Sequence, residues 1–121
     1  MRDVTIGGIR FRLVAAERHN EWIARAERDD TGDRFGPECA GSSEGDAMLR
    51  VERWLEWQHE HAEALDALMT AESAYQRTIA GSAFAGPTEG PSALEMQKES
   101  LEEVEAARVR LDEIRARKPG P

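Results

Sequence analysis

The chain has 121 residues, 40% of them hydrophobic and 33% charged, with a formal net charge of −8. That size sets one domain, or a small domain with a helical extension, and the composition is that of a soluble protein. None of the segments 1–45, 46–87 and 88–121 is net basic, which disfavours general nucleic-acid binding, and no apolar run approaches the ~20 residues of a membrane span.

Met1 to Thr5 lacks a signal peptide's apolar stretch, and the lone Cys39 excludes an internal disulfide, so a cytoplasmic protein is expected. Residues 4–16 read as strand, with Ile9, Phe11 and Leu13 alternating with Arg10 and Arg12. Gly7-Gly8 fits a tight hairpin turn or a bulge within it. Glu17 to Asn20 turns the chain into a second strand, Glu21 to Glu27, with Trp22, Ala24 and Ala26 on one face. Asp29 to Asp33 is a turn by composition. Arg34 to Ala40 follows as a short strand in which Gly36-Pro37 points to an edge or a bulge. Residues 1–45 thus form an antiparallel meander of three or four strands.

Gly41 to Asp46 leads into a helix over 46–80, with Ser43 and Asp46 spaced as a capping pair. No Gly or Pro interrupts it. Ala47, Trp54, His61, Leu68 and Tyr75 form one seven-residue row, and Val51, Leu65 and Ile79 another, with Met48, Leu55, Ala62 and Met69 alongside. Ten such turns extend roughly 50 Å, whereas strands of about six residues span only ~20 Å. The sheet therefore covers the first half of the helix, to about Ala62, with Phe11, Trp22, Trp54 and Trp57 as filling.

Gly81 is expected to cap this helix, and Ser92-Ala93-Leu94-Glu95 has the form of a capping box opening a second helix over 92–117. Its apolar row is Leu94, Leu101, Val104, Leu111 and Ile114. Folded back antiparallel, it covers the bare half of the first helix, setting Arg108, Arg110, Arg115 and Arg117 opposite the stretch of Glu52, Glu56, Glu60 and Glu63. The fold class is α+β: a small antiparallel meander packed on one end of a long antiparallel two-helix hairpin (46–118), one continuous structural unit.

The apolar band of the first helix is wider than one partner helix needs, so a second copy is expected to pack on it as a homodimeric four-helix bundle. Its interaction residues would be Trp54, Trp57, His61, Leu65, Leu68 and Tyr75, with Phe84 at the hairpin tip. Glu56 and His59 have the Glu-x-x-His spacing of carboxylate-bridged metal bundles. They sit off the apolar band, on the charged side of the helix, so a solvated face is the better reading. His61 lies on the band and reads as an interface or core histidine. His59-Glu60-His61 is no zinc motif, because its histidines point to different sides of the helix. No nucleophile, base and orienting group come together. The expectation is a non-enzymatic interaction or assembly module with no cofactor, with a metal-binding helical dimer as a further alternative.

Residues 21–55 resemble the HicB-like antitoxin family. The likeness rests on Glu21-Trp22-Ile23-Ala24-Arg25-Ala26, similar to that family's second strand, and on Pro37 to Ser43 followed by Asp46-Ala47, similar to its third strand and helix start. The resemblance implies a β-β-β-α module that dimerises and neutralises a small RNase toxin. The family's Pro-Asp-Leu-Pro-Gly type turn and a DNA-binding segment after the helix are missing from this sequence.

Overall fold

The structure, a computed structural model, describes residues 1–84 and 93–120, with the side chains of all of these except 82–84 and 93. In chain order the elements are β1 (Arg2–Ile6), β2 (Ile9–Arg18), β3 (Glu21–Arg28), β4 (Arg34–Gly41), α1 (Glu44–Phe84) and α2 (Ala93–Ala116). The strands form one antiparallel sheet in the order β1-β2-β3-β4. Helix α1 packs on the sheet and on α2, an α+β fold. Two compact units result, residues 1–60 with 117–121, and residues 61–116.

Of the two expectations for Gly7-Gly8, a hairpin turn or a bulge, the structure has the turn, and the stretch is two strands. Gly7 and Gly8, at φ 58° and 79°, make a two-residue turn whose twist matches the strands it joins, and Ile6 pairs with Ile9 across it. His19 and Asn20 make the next two-residue turn, also in the left-handed region, at φ 53° and 65°. At the sheet's far edge the register slips: Ala24 pairs with Cys39 but Ala26 with Phe35, so Arg25 faces the bulge of Gly36, Pro37 and Glu38. Such a bulge bends an edge strand away from further pairing.

Alternation decides what the first unit buries. Val4, Phe11, Leu13, Ala24, Ala26 and Cys39 point from the sheet onto Ala47, Met48, Val51 and Leu55 of α1, and all ten are buried. The small residues Ala24, Ala26 and Cys39 let the helix come close, while Trp22, Phe35 and Trp54 close the rim. The rings meet in sequence, tilted or edge to face: Phe11 to Phe35 at 5.2 Å, Phe35 to Trp54 at 6.1 Å, Trp54 to Trp57 at 6.3 Å.

The start of α1 is capped as its sequence requires. The Asp46 amide donates to Ser43 Oγ at 3.1 Å, and the Ser42 amide donates to the Asp46 carboxylate at 3.0 Å. Its far end departs from expectation, running through Gly81 to Phe84. An interior glycine costs a helix about 1 kcal/mol against alanine, too little to stop one of 41 residues. Ser92, the opening residue of the expected capping box, lies outside the described residues.

In the second unit α1 meets α2 along a seam of alternating three- and four-residue steps. His61, Ala64, Leu68, Ala71, Tyr75 and Thr78 face it from α1, where Ala64 is buried and the others half-buried. From α2 come Gln97, Ser100, Val104, Ala107, Leu111 and Ile114, of which Val104, Leu111 and Ile114 are buried. Arg115 Nε donates to His61 Nε2 at 3.3 Å, and Arg108 pairs with Glu72 at 3.8 Å. The expected opposition of Arg108 to residues 52–63 is therefore corrected. With Arg115 level with His61, Arg108 lies two turns further along an antiparallel partner. Glu52 is held instead by Arg2 at 3.1 Å, and Arg117 does meet Glu60, at 3.5 Å.

Candidate interaction surface

The residues expected to bind a partner divide between the two units. Trp54 and Trp57 belong to the first, both half-buried within their own chain. Trp54 is wedged between Phe35 and Trp57, and Lys118 Nζ sits 5.5 Å from the Trp57 ring centre. His61, Leu68 and Tyr75 line the helix–helix seam of the second unit. Leu65 stands beside that seam and is exposed. Phe84 is the last residue of α1, and its side chain lies outside the described residues.

Beside the seam runs an open apolar row. On α1 it comprises Leu65, Met69 and Ile79, exposed to 37%, 59% and 42%. These belong to the same seven-residue rows as Val51, Met48 and Leu55, which the sheet buries in the first unit. In the second unit the same rows carry exposed side chains. On α2, Leu94 and Leu101 are exposed to 76% and 40%. Both are rotated from the seam in the same sense as Leu65 and Met69, which in an antiparallel pair puts all four on one side of the hairpin. A shallow groove of about 350 Å³ opens there, lined by Tyr75, Leu94, Gln97, Lys98 and Leu101.

Leu94 and Leu101 were expected in the inward row of α2, and the structure turns them out. The seam passes through Gln97 and Ser100 instead, polar residues that a count of apolar positions steps over. The signal available in sequence was the three-four spacing of Val104, Ala107, Leu111 and Ile114 run backwards by two more steps.

Of the residues with metal-ligand spacing, Glu56 is exposed and His59 is half-buried. His59 packs its imidazole on the β1–β2 turn, so closely that a Cβ on Gly7 would collide with the ring. It is therefore not on a solvated face, because the first hairpin reaches across that flank of α1. Among the described residues no three His, Cys, Asp or Glu side chains are placed to hold a metal ion. Cys39 is fully buried, and burial pushes its thiol pKa up, which disfavours the reactive thiolate.

The outer face of the sheet carries arginines answered by carboxylates. Arg12 bonds Asp29 at 3.2 Å, Arg25 bonds Glu27 at 3.1 Å, and Arg18 and Arg34 both reach Glu38. Arg18, and then Arg34, hold the Glu38 carboxyl below its ordinary value by donating to its charged form. Arg28 does the same for Asp30. The basic groups of this face are thus matched locally, an arrangement that leaves little net field for a phosphate backbone. Among the described residues no helix is long and apolar enough to cross a membrane. Comparison with protein-family models, with curated proteins and with solved structures finds nothing that matches the chain.

Proposed function

We propose that this protein is a non-enzymatic assembly module, acting in the cytoplasm as a homodimer formed through the helical hairpin of its second unit. The observation that carries this reading is the open row of Leu65, Met69, Ile79, Leu94 and Leu101 on one side of the hairpin. Taken by fractional exposure, the five expose the equivalent of about two and a half whole side chains, worth roughly 5 kcal/mol if buried. Two copies gain about 10 kcal/mol, and association costs ~4 kcal/mol at the low end of its range, so these residues alone give a dissociation constant in the tens of micromolar at the tightest. Neighbouring contacts would tighten it.

The test is a double substitution, Met69→Asp with Leu101→Glu, read by sedimentation at about 200 µM protein, well above that constant. The unmodified chain should sediment as a dimer and the variant as a monomer of unchanged helical content. A variant that associates as well as the parent would remove this face from the interface.

A second reading has one observation in its favour. Across residues 21–55 the order β3, β4, α1 is the strand-strand-helix order that the likeness to HicB-like antitoxins implies. Under that reading the dimer would capture a small RNase toxin. Its test is whether co-expression relieves the growth arrest caused by such an RNase encoded beside this chain. No relief and no co-purified complex would retire it.

A further inference from the structure

We propose that the second copy lies alongside with its hairpin pointing the same way, about a two-fold axis parallel to the helices, so that α1 of each copy packs on α2 of the other. This rests on the self-association proposed above and gives it a geometry. Rotation fixes the face that meets. Leu65, Glu72 and Ile79 follow the seam residues His61, Leu68 and Tyr75 by four, and Leu101 and Arg108 follow Gln97 and Val104 by four. At about 100° per residue all of them point roughly 50–90° away from the middle of the seam, in the one sense that puts them on the same face of the hairpin. Contact fixes the levels, since Glu72 and Arg108 pair at 3.8 Å. Seven residues after Glu72 and seven before Arg108, Ile79 and Leu101 are therefore level with each other, and both are exposed.

The Glu72–Arg108 pair selects the axis. Two such faces can be laid together about a two-fold axis running across the helices or along them. An axis across them sets α1 on α1 and α2 on α2, so Glu72 meets Glu72 and Arg108 meets Arg108. A slide of half a heptad presses Glu72 onto Ile79 or Leu65 instead. An axis along the helices allows no slide, because each level meets its own level. Glu72 of each copy then falls beside Arg108 of the other, and the four charges alternate in sign around a square. The next level sets Ile79 on Leu101, twice over. In the other direction Leu65 meets the methylene stem of Arg115, whose guanidinium stays with His61 of its own chain. Every helix also lies antiparallel to both neighbours, the up-down-up-down order of four-helix bundles. Residues 61–84 of α1 with α2 make a face about 35 Å long and two helices of about 10 Å wide. Stacking it covers roughly 700 Å² per copy, close to the ~800 Å² per partner of a standard interface.

Single-cysteine cross-linking tests the axis, with light scattering run beside it to read mass. Cys39 can stay, since it is fully buried, and the parent chain serves as the blank. Chains carrying Ile79→Cys, mixed with chains carrying Leu101→Cys, should form an interchain disulfide on mild oxidation in about half the protein, the share of mixed dimers. Neither chain alone should link, because each residue lies diagonally across the bundle from its own copy. A dimer by mass that links through either chain alone, or in no combination, would overturn the axis and leave self-association standing. A parent chain that stays monomeric would overturn both. Charge reversal gives an independent reading. Glu72→Arg alone and Arg108→Glu alone should each weaken the dimer roughly tenfold at unchanged helical content, and an equimolar mixture of the two should recover it to within about threefold. A mixture no tighter than its components would overturn the charge pairing.

Discussion

Gly36→Ala should be among the most damaging single-methyl changes in the first unit. Two terms act on it. Gly36 has φ 82°, a left-handed conformation that costs an L-residue about 1–2 kcal/mol. Its new Cβ would also sit 2.5 Å from Trp54 Cζ3, on a ring already held between Phe35 and Trp57. Overpacking of that kind costs roughly 1–3 kcal/mol. Alanine returns about 0.4–1 kcal/mol by restricting the unfolded chain, so the net loss should be about 2–3 kcal/mol. Urea unfolding followed by tryptophan fluorescence should show the midpoint fall by about 1–2 M at an unchanged slope. The mechanism has its own control. In a Trp54→Leu background the ring is gone, and the loss should shrink to the backbone part, about 1 kcal/mol. A loss under ~0.5 kcal/mol, or an equal loss in both backgrounds, would refute the reasoning.

The other expectations concern turns and titrating groups. Gly7→Ala should destabilise the fold by about 2 kcal/mol or more, since φ is positive and the methyl meets His59, and a chemical denaturation curve reads it. Asn20→Gly should instead stabilise by about 0.5–1 kcal/mol, by relieving a left-handed residue in the β2–β3 turn; a lower midpoint would count against that turn geometry. Cys39 should resist alkylation at neutral pH until the protein is unfolded in urea, so rapid labelling of the folded chain would contradict its burial. Glu38 has a folded pKa below its ordinary value. Its contribution to stability is therefore present at neutral pH and is lost as acid takes the solution down through that lowered value. Glu38→Gln should flatten the acid side of the stability curve, and an unchanged pH dependence would deny Glu38 that role.

What the sequence made legible was local periodicity. The alternation of Phe11 and Leu13 with arginines, and of Ala24 and Ala26 across β3, placed the sheet's inner face, because a strand has only two sides. Ser43 and Asp46 marked where α1 begins, since the capping hydrogen bonds lie within four residues of each other. Three features depended on contacts between distant residues and were missed. His59 looked solvated because nothing near it in sequence says that the Gly7 turn will reach it. Leu94 and Leu101 looked buried because apolar character outweighed the seam set by Val104, Leu111 and Ile114. Arg108 finds Glu72 because register depends on where the chain re-enters α2. The breadth of the apolar band on α1 was visible from spacing alone, but spacing does not say that Val51 and Leu55 are buried while Leu65 and Met69 are exposed.

The account stands most directly on the mass of the intact chain in solution. Light scattering over a dilution series from about 5 to 300 µM should show the apparent mass climb from 13.5 kDa towards twice that value, with half the rise in the tens of micromolar or below. A mass of 13.5 kDa at every concentration would mean that the open side of the hairpin takes no second copy, and the central claim would fail.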